Sequence, residues 1–299
     1  MQSLSRYFLV VILLLLGACD GTTHSEITVD PVKQTAAQGG DEKIILRFGF
    51  DVRSGAIEDA RQYAPFLKYL EKTTGYQFKL HLNPDNTELS DDLGNGIVDL
   101  AAVGAVSFIK AERKYAVICL VRGINLQGRS EYRSFMIAHP ASDIRGIKDV
   151  RGKRMVFGNT SSTQGYLLPR IELMNNGIRL KDLKSYIHTG SHHQCAEEVI
   201  SGRHDVCGMQ DTLADVLEKK GKVRIIHRSD YVPSSGIAIN KNVPEHIREK
   251  IKQALLDFQP TGRDASDLYN WHKTEMPNGF THSNKHDFNQ LKELLELIK

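Results

Sequence analysis

The chain has 299 residues, of which 40% are hydrophobic and 25% charged, enough apolar material for one large or two medium cores. That is the composition of a globular protein rather than a disordered one. The 39 basic against 36 acidic residues leave a formal charge of +3, with no basic run and no interleaving of aromatic and basic residues, so nucleic acid is not an expected partner.

The first element is a leader, not part of the fold. Arg6 precedes a continuous apolar run over residues 7–16, followed by Gly17-Ala18-Cys19. The run is too short for a comfortable membrane span and fits a signal-peptide core. Leu16-Gly17-Ala18-Cys19 resembles the lipobox of bacterial lipoproteins. That resemblance implies cleavage after residue 18 and a mature chain that starts at a lipidated Cys19, with several acyl chains making a durable anchor. Asp20 follows directly, and in that position resembles the signal for retention at the inner membrane. The plainer reading is an ordinary secretory peptide with an incidental cysteine. Residues 19–43 are polar, with Gly39-Gly40, and read as a flexible tether. Cys119, Cys195 and Cys207 remain, and their spacing suggests no disulfide framework. Cys119 and Cys207 lie in apolar runs and are expected as small core residues.

Ile44-Ile45-Leu46-Arg47-Phe48-Gly49-Phe50 reads as the first strand, and residues 51–55 as a loop at its carboxyl end. A helix is expected from there to about residue 74, with Ala60, Tyr63, Ala64, Leu67 and Leu70 on one face, Pro65 in its first turn and Gly75 as its stop. Residues 76–82 alternate like a strand, and a short helix follows from about residue 87. Gly96-Ile97-Val98-Asp99 and Gly202-Arg203-His204-Asp205 each precede an apolar strand. This weak similarity, about a hundred residues apart, suggests two lobes built from one kind of unit. Strands alternate with helices throughout, which argues for parallel-type α/β sheets. Residues 115–121 read as a strand. The strand at 132–138 could carry the chain into a second lobe and the one at 235–239 could return it. Helices are expected at 244–258, 264–273 and 286–298.

The stretch with the most chemistry is Gly158-Asn159-Thr160-Ser161-Ser162-Thr163-Gln164-Gly165-Tyr166. It lies between a short apolar strand, 153–157, and a helical spacing of Leu167, Leu168, Ile171 and Met174. The free N–H groups of a first helical turn and the helix dipole make such a junction a ready anion site, with Ser and Thr hydroxyls as extra donors. A plain N-cap by Ser161 or Ser162 is the simpler account. Pro169 requires the helix to restart or bend. Ser191 with Gln194 forms a capping box and marks a second helix start, beside His192.

Tyr132-Arg133-Ser134, Asp149-Val150-Arg151-Gly152-Lys153-Arg154, Ser162-Thr163-Gln164-Gly165-Tyr166-Leu167-Leu168-Pro169-Arg170 and Gly190-Ser191-His192 fall in order along the chain. Together they resemble the periplasmic phosphate/phosphite/phosphonate-binding proteins of ABC importers, over about residues 44–258. The resemblance implies an α/β, bilobal type II periplasmic binding fold with a ligand cleft and a two-strand hinge. It implies a periplasmic location, which the lipobox with Asp20 narrows to the periplasmic face of the inner membrane. The lobes are expected at 44–130 with 236–299, and at 131–235. Ser162 and Thr163 match the first two positions of the family's Ser-Thr-Ser oxyanion loop, where Gln164 stands third, and His192 matches the family's oxyanion-binding His. Ser161 belongs to the same loop. In the first lobe the family's pattern is absent: Gly104-Ala105-Val106-Ser107-Phe108 and Phe50-Asp51-Val52-Arg53-Ser54 stand there, with Ser107 a candidate contact. Asp51 beside an anion would be unhelpful unless the ligand also carried an amine. The choice among phosphate, phosphite, a phosphonate and another anion stays open.

Asp211 could pair a ligand amine or simply cap the next helix. Tyr132 could line the cleft or pack at the hinge. His188, His192, His193 and Cys195 match no zinc spacing, so neither metal nor cofactor is expected. Cys195 with His192 lacks a third orienting group, so the chain is not expected to be an enzyme. A monomer partnered by an ABC permease is expected. A receptor of the same fold that signals through a membrane kinase or cyclase is the alternative.

Overall fold

The computed structural model describes residues 43–83 and 87–298. The leader, Cys19 and all but the last residue of the expected tether lie outside the described residues.

The first lobe opens with β1 (Ile45–Phe50), α1 (Ala56–Thr74) and β2 (Gln77–Leu80). α1 buries Tyr63, Phe66, Leu67 and Leu70, and Gly75 stops it at φ 74°. Its start at Ala56 puts Pro65 in mid-helix, not in the first turn; the helix keeps going without the N–H that would reach back to Arg61. α2 (Leu89–Gly94) and β3 (Leu100–Val103) lead to α3 (Ala105–Tyr115), a helix absent from the sequence reading, and then β4 (Ile118–Gly123). The chain crosses through β5 (Glu131–Tyr132) into β6 (Ser134–Ala138) and β7 (Arg154–Phe157).

The junction after β7 is a single π-type turn, Thr163–Leu167, from which α4 (Leu168–Asn175) restarts with Pro169 in its first turn. The proline therefore takes a position that needs no N–H donor. β8 (Ser185–His188), α5 (His192–Ile200), β9 (Val206–Gln210), α6 (Asp211–Lys219) and β10 (Arg224–Arg228) complete the second lobe. β11 (Val232–Pro233) pairs antiparallel with β5, forming the crossing between the lobes. β12 (Gly236–Ile239), α7 (Glu245–Leu256), β13 (Phe280–His282) and α8 (Asn289–Glu296) return to the first lobe. The helix expected over 264–273 is replaced by two 3-10 turns, Ala265–Asp267 and Trp271–Lys273. Asn270 takes a left-handed φ of 48°, and Trp271 turns into the core.

The first sheet has the order β13-β4-β12-β3-β1-β2 and the second β10-β6-β9-β7-β8. In each, a parallel triplet is extended by antiparallel strands. The short internal similarity has a physical basis. In the first lobe, Asp99 accepts from the Arg47 amide at 2.7 Å and pairs its guanidinium, which also donates to the Gly96 carbonyl. In the second, Asp205 does the same with Arg154, whose guanidinium donates to Gly202. Gly96 and Gly202 share positive φ values of 75° and 71°. The same staple fixes the strand leading to each lobe's ligand-side loop.

Cys195 and Cys207 form a disulfide, which their spacing did not suggest. The buried face of α5 lies on β9, which brings the two Cα atoms to 5.8 Å. Cys119 is free, and burial pushes its thiol up to about 12.

Candidate functional site

The carboxyl ends of the parallel strands and the starts of three helices meet at one cleft, a position where α/β sheets commonly bind ligands. A cavity of about 30 Å³ there is lined by Asp51 and Arg53 from the loop after β1 and by Gly104 and Tyr132. Asn159 and Ser161–Gln164 line it after β7, joined by His192, Ser235 and Glu275.

The loop after β7 owes its shape to two glycines. The Gly158 amide donates to the Gly165 carbonyl at 2.7 Å, and a Cβ on Gly165 would lie 3.0 Å from the Gly158 Cα. This close approach lets the π-turn fold back on the strand end. Ser162 caps the turn by accepting from the Gly165 amide at 2.9 Å. Thr163 Oγ1 accepts from the Val106 amide at 3.0 Å, so this hydroxyl bridges the loop to the start of α3. Ser161 also reaches across: it accepts from Lys110 Nζ at 2.6 Å and donates to the Glu88 carboxylate. Gln164 turns its amide away, donating to the Arg133 carbonyl at 2.9 Å and to Asp211 at 3.3 Å.

α5 supplies the second helix start. Ser191 Oγ accepts from the Gln194 amide at 3.2 Å, which realises one half of the expected capping box, and the Gln194 side chain accepts from the Gly190 amide. The His192 amide donates to the Arg53 carbonyl at 3.0 Å. The His192 ring is buried, and Nδ1 has no protein partner among the described residues. Burial first, and then the neighbouring Arg53 cation, hold its pKa down to about 3. The ring is therefore neutral at physiological pH and carries one N–H donor and one acceptor.

The first lobe contributes charge. Asp51 accepts from the Gly104 amide at 2.7 Å, and so caps α3 from outside; burial raises its pKa. Arg53 pairs with the Glu275 carboxylate, donates to Ser235 Oγ at 3.3 Å, and leaves its buried Nε without a protein partner. Ser235 also donates to Glu275. Glu275 is delivered by a packed turn. Trp271 stacks on Phe66 at 4.8 Å between ring centres and donates to the Met276 carbonyl at 2.8 Å, which fixes the backbone on either side of the carboxylate.

A model of the family described as "ABC transporter, phosphonate, periplasmic substrate-binding protein" matches residues 55–288. The chain belongs to this family. Among curated relatives of the phosphonate-binding family, the phosphate-import protein PhnD of Mycolicibacterium smegmatis is 27% identical over 255 residues, covering 80% of this chain and 77% of that protein. The phosphonates-binding periplasmic protein of Escherichia coli is 25% identical over 242 residues, covering 78% and 71%. Among solved structures, PhnD1 of Prochlorococcus marinus in complex with methylphosphonate shares the fold with a TM-score of 0.75 at 17% identity, covering 85% of this chain and 98% of that one. A binding protein component of an ABC phosphonate transporter from Pseudomonas aeruginosa gives 0.76 at 20% identity, covering 86% and 87%. The fold is the bilobal type II periplasmic one, and the family is one of substrate-binding transport components.

Of the residues named from sequence in this family member, Ser161, Ser162, Thr163, Gln164, His192 and Tyr132 line one cavity. Ser107 and Asp211 do not line it. Ser107 is buried behind Asp51, whose carboxylate it bonds. Asp211 is the first residue of α6, with Gln210 in the cap position, and lies behind Gln164; burial pushes its carboxyl up to about 6. Arg53, Ser235 and Glu275 were missed. The Asp51–Arg53 loop at a strand's carboxyl end was a usable signal, whereas Glu275 lies 222 positions from Arg53 with no motif around it.

Proposed function

We propose that this chain captures a phosphorus oxyanion or an organophosphonate and delivers it to an ABC importer. One arrangement carries the reading: the Ser162-capped turn and the α5 start with His192 face a common cavity. Helix starts offer backbone N–H groups and positive dipole ends to an anion, and each charge-assisted hydrogen bond contributes about 1.5–3 kcal/mol. The names of the relatives, phosphate-import and phosphonates-binding, point to the same ligand class. The lobes are assigned as 44–130 with 236–299, and 131–235, closing over the ligand about the β5–β11 crossing.

Titration calorimetry with methylphosphonate and inorganic phosphate tests the site. Ser162→Ala combined with Thr163→Ala should weaken binding by about 3 kcal/mol or more. Unchanged affinity in the folded double variant refutes the assigned site.

The chain is further proposed to be held at the periplasmic face of the inner membrane by lipidated Cys19. The support is the Leu16-Gly17-Ala18-Cys19-Asp20 sequence. Cys19→Ser should move the protein from the membrane to the soluble fraction, and continued membrane association would count against the anchor.

A further inference from the structure

The charges around the cavity do not suit a doubly charged guest. Among its lining residues Arg53 is the one cation, against the two carboxylates of Asp51 and Glu275. Arg53 is already committed to Glu275, and Glu275 also takes the Ser235 hydroxyl. The remaining donors are neutral: the His192 ring, the hydroxyls and the backbone amides. A second cation, Lys110, stands just outside the lining: it donates to Ser161 and is balanced by Glu88, whose carboxylate accepts from the same hydroxyl. Asp59 accepts from the Arg53 amide, the Tyr63 and Tyr132 hydroxyls lie near the Arg53 cation, exposed His193 adjoins His192, and Asp211 lies beyond Gln164. Ionised carboxylates only accept hydrogen bonds. A P–OH group would donate to one of them, whereas a fully ionised oxyanion would set its lone pairs against theirs.

We propose that the cleft admits its oxyanion in the singly charged, protonated form, and that Asp51 and Glu275 are the residues that set this preference. The proposal rests on the oxyanion reading given above. The orphaned Arg53 Nε and the unpartnered His192 ring nitrogen take the ligand's unprotonated oxygens. The carboxylates accept the hydrogen bond from its P–OH group. Asp51 and Glu275 thus act as specificity determinants, reading the protonation state of the guest rather than its organic substituent.

Calorimetry on the full chain between pH 7 and 9, with methylphosphonate, phosphite and phosphate as probes, tests this. Across that range His192, near 3, and Asp211, near 6, hold their charge states while methylphosphonate and phosphite lose their last acidic proton; phosphate, whose doubly charged form keeps a P–OH, serves only to show whether an oxyanion binds. For methylphosphonate and phosphite the wild-type association constant should fall about tenfold per pH unit once the doubly charged form dominates, because the binding species is diluted by that factor. Glu275→Gln and Asp51→Asn should each flatten the fall to about threefold or less. Asn at position 51 keeps an oxygen for the Gly104 amide, so this variant retains the α3 cap. A wild-type affinity for methylphosphonate or phosphite that is level or tightens from pH 7 to 9 overturns the proposal, even if a variant fails to fold. A tenfold fall that survives in both variants overturns the assignment to these carboxylates. Binding of none of the three probes overturns the oxyanion reading itself, a result distinct from either.

Discussion

His192 gives the fold a predictable acid weakness. The residue is 7% exposed, Nδ1 has no protein partner among the described residues, and Arg53 is a charged neighbour. Protonation in the folded state is resisted down to a pKa of about 3. In the unfolded chain an imidazole titrates near about 6.5. Between those values the unfolded state binds more protons, so acid favours unfolding. The stability tied to the neutral ring is complete above pH 6.5 and lost as pH falls towards 3. At pH 5 the loss is about 2 kcal/mol. The buried carboxyls of Asp51, Asp59 and Asp211 have raised pKa values and act in the opposite sense, but they are shared by wild type and variant. His192→Gln removes the titrating ring alone. Urea unfolding of both proteins at pH 7 and pH 5 measures the difference directly. The wild type should lose about 2 kcal/mol more than the variant between the two pH values. Equal losses would refute the picture of a buried imidazole kept neutral beside Arg53.

Two further predictions concern the scaffold. Replacing both Cys195 and Cys207 by Ala opens a loop whose ends are 12 positions apart; by chain entropy this should cost about 3 kcal/mol, read as a lower urea midpoint. A midpoint equal to that of the oxidised wild type would argue that the native protein carries no such bond. Gly165→Ala forces a Cβ to within 2.9 Å of Ser162 Oγ and 3.0 Å of Gly158 Cα. The crowding should cost about 1–3 kcal/mol and weaken anion binding with it. Gly146→Ala, whose Cβ meets nothing within 4 Å, serves as the control. Equal behaviour of the two variants would show that the close approach of Gly158 and Gly165 does not shape the loop.

What the chain reveals without coordinates follows the range of the forces involved. The Ser162 cap and the α5 start are local, closing over three or four residues, and short-range sequence rules find them. The Gly96–Asp99 and Gly202–Asp205 similarity was visible for the same reason. Its cause was not, because Arg47 and Arg154 join each staple from about fifty residues upstream. α3 escaped because its first turns, with Ala105, Val106, Phe108 and Ile109 all buried, follow the apolar strand Leu100–Val103 after a single glycine, so the apolar run reads on without a helix start. The disulfide depends on how α5 seats on β9, a packing outcome rather than a spacing. The charged half of the cleft lies furthest from the reach of sequence. Arg53 reads as an ordinary loop residue until Trp271 anchors the turn that brings Glu275 to it. Removing one partner of such a buried pair leaves an uncompensated charge, and that makes the pair's position as fixed as any core contact. The capped turn after β7 and the α5 start are thus written locally in the second lobe. The carboxylates and the Arg53 cation come together through contacts that only the folded first lobe creates.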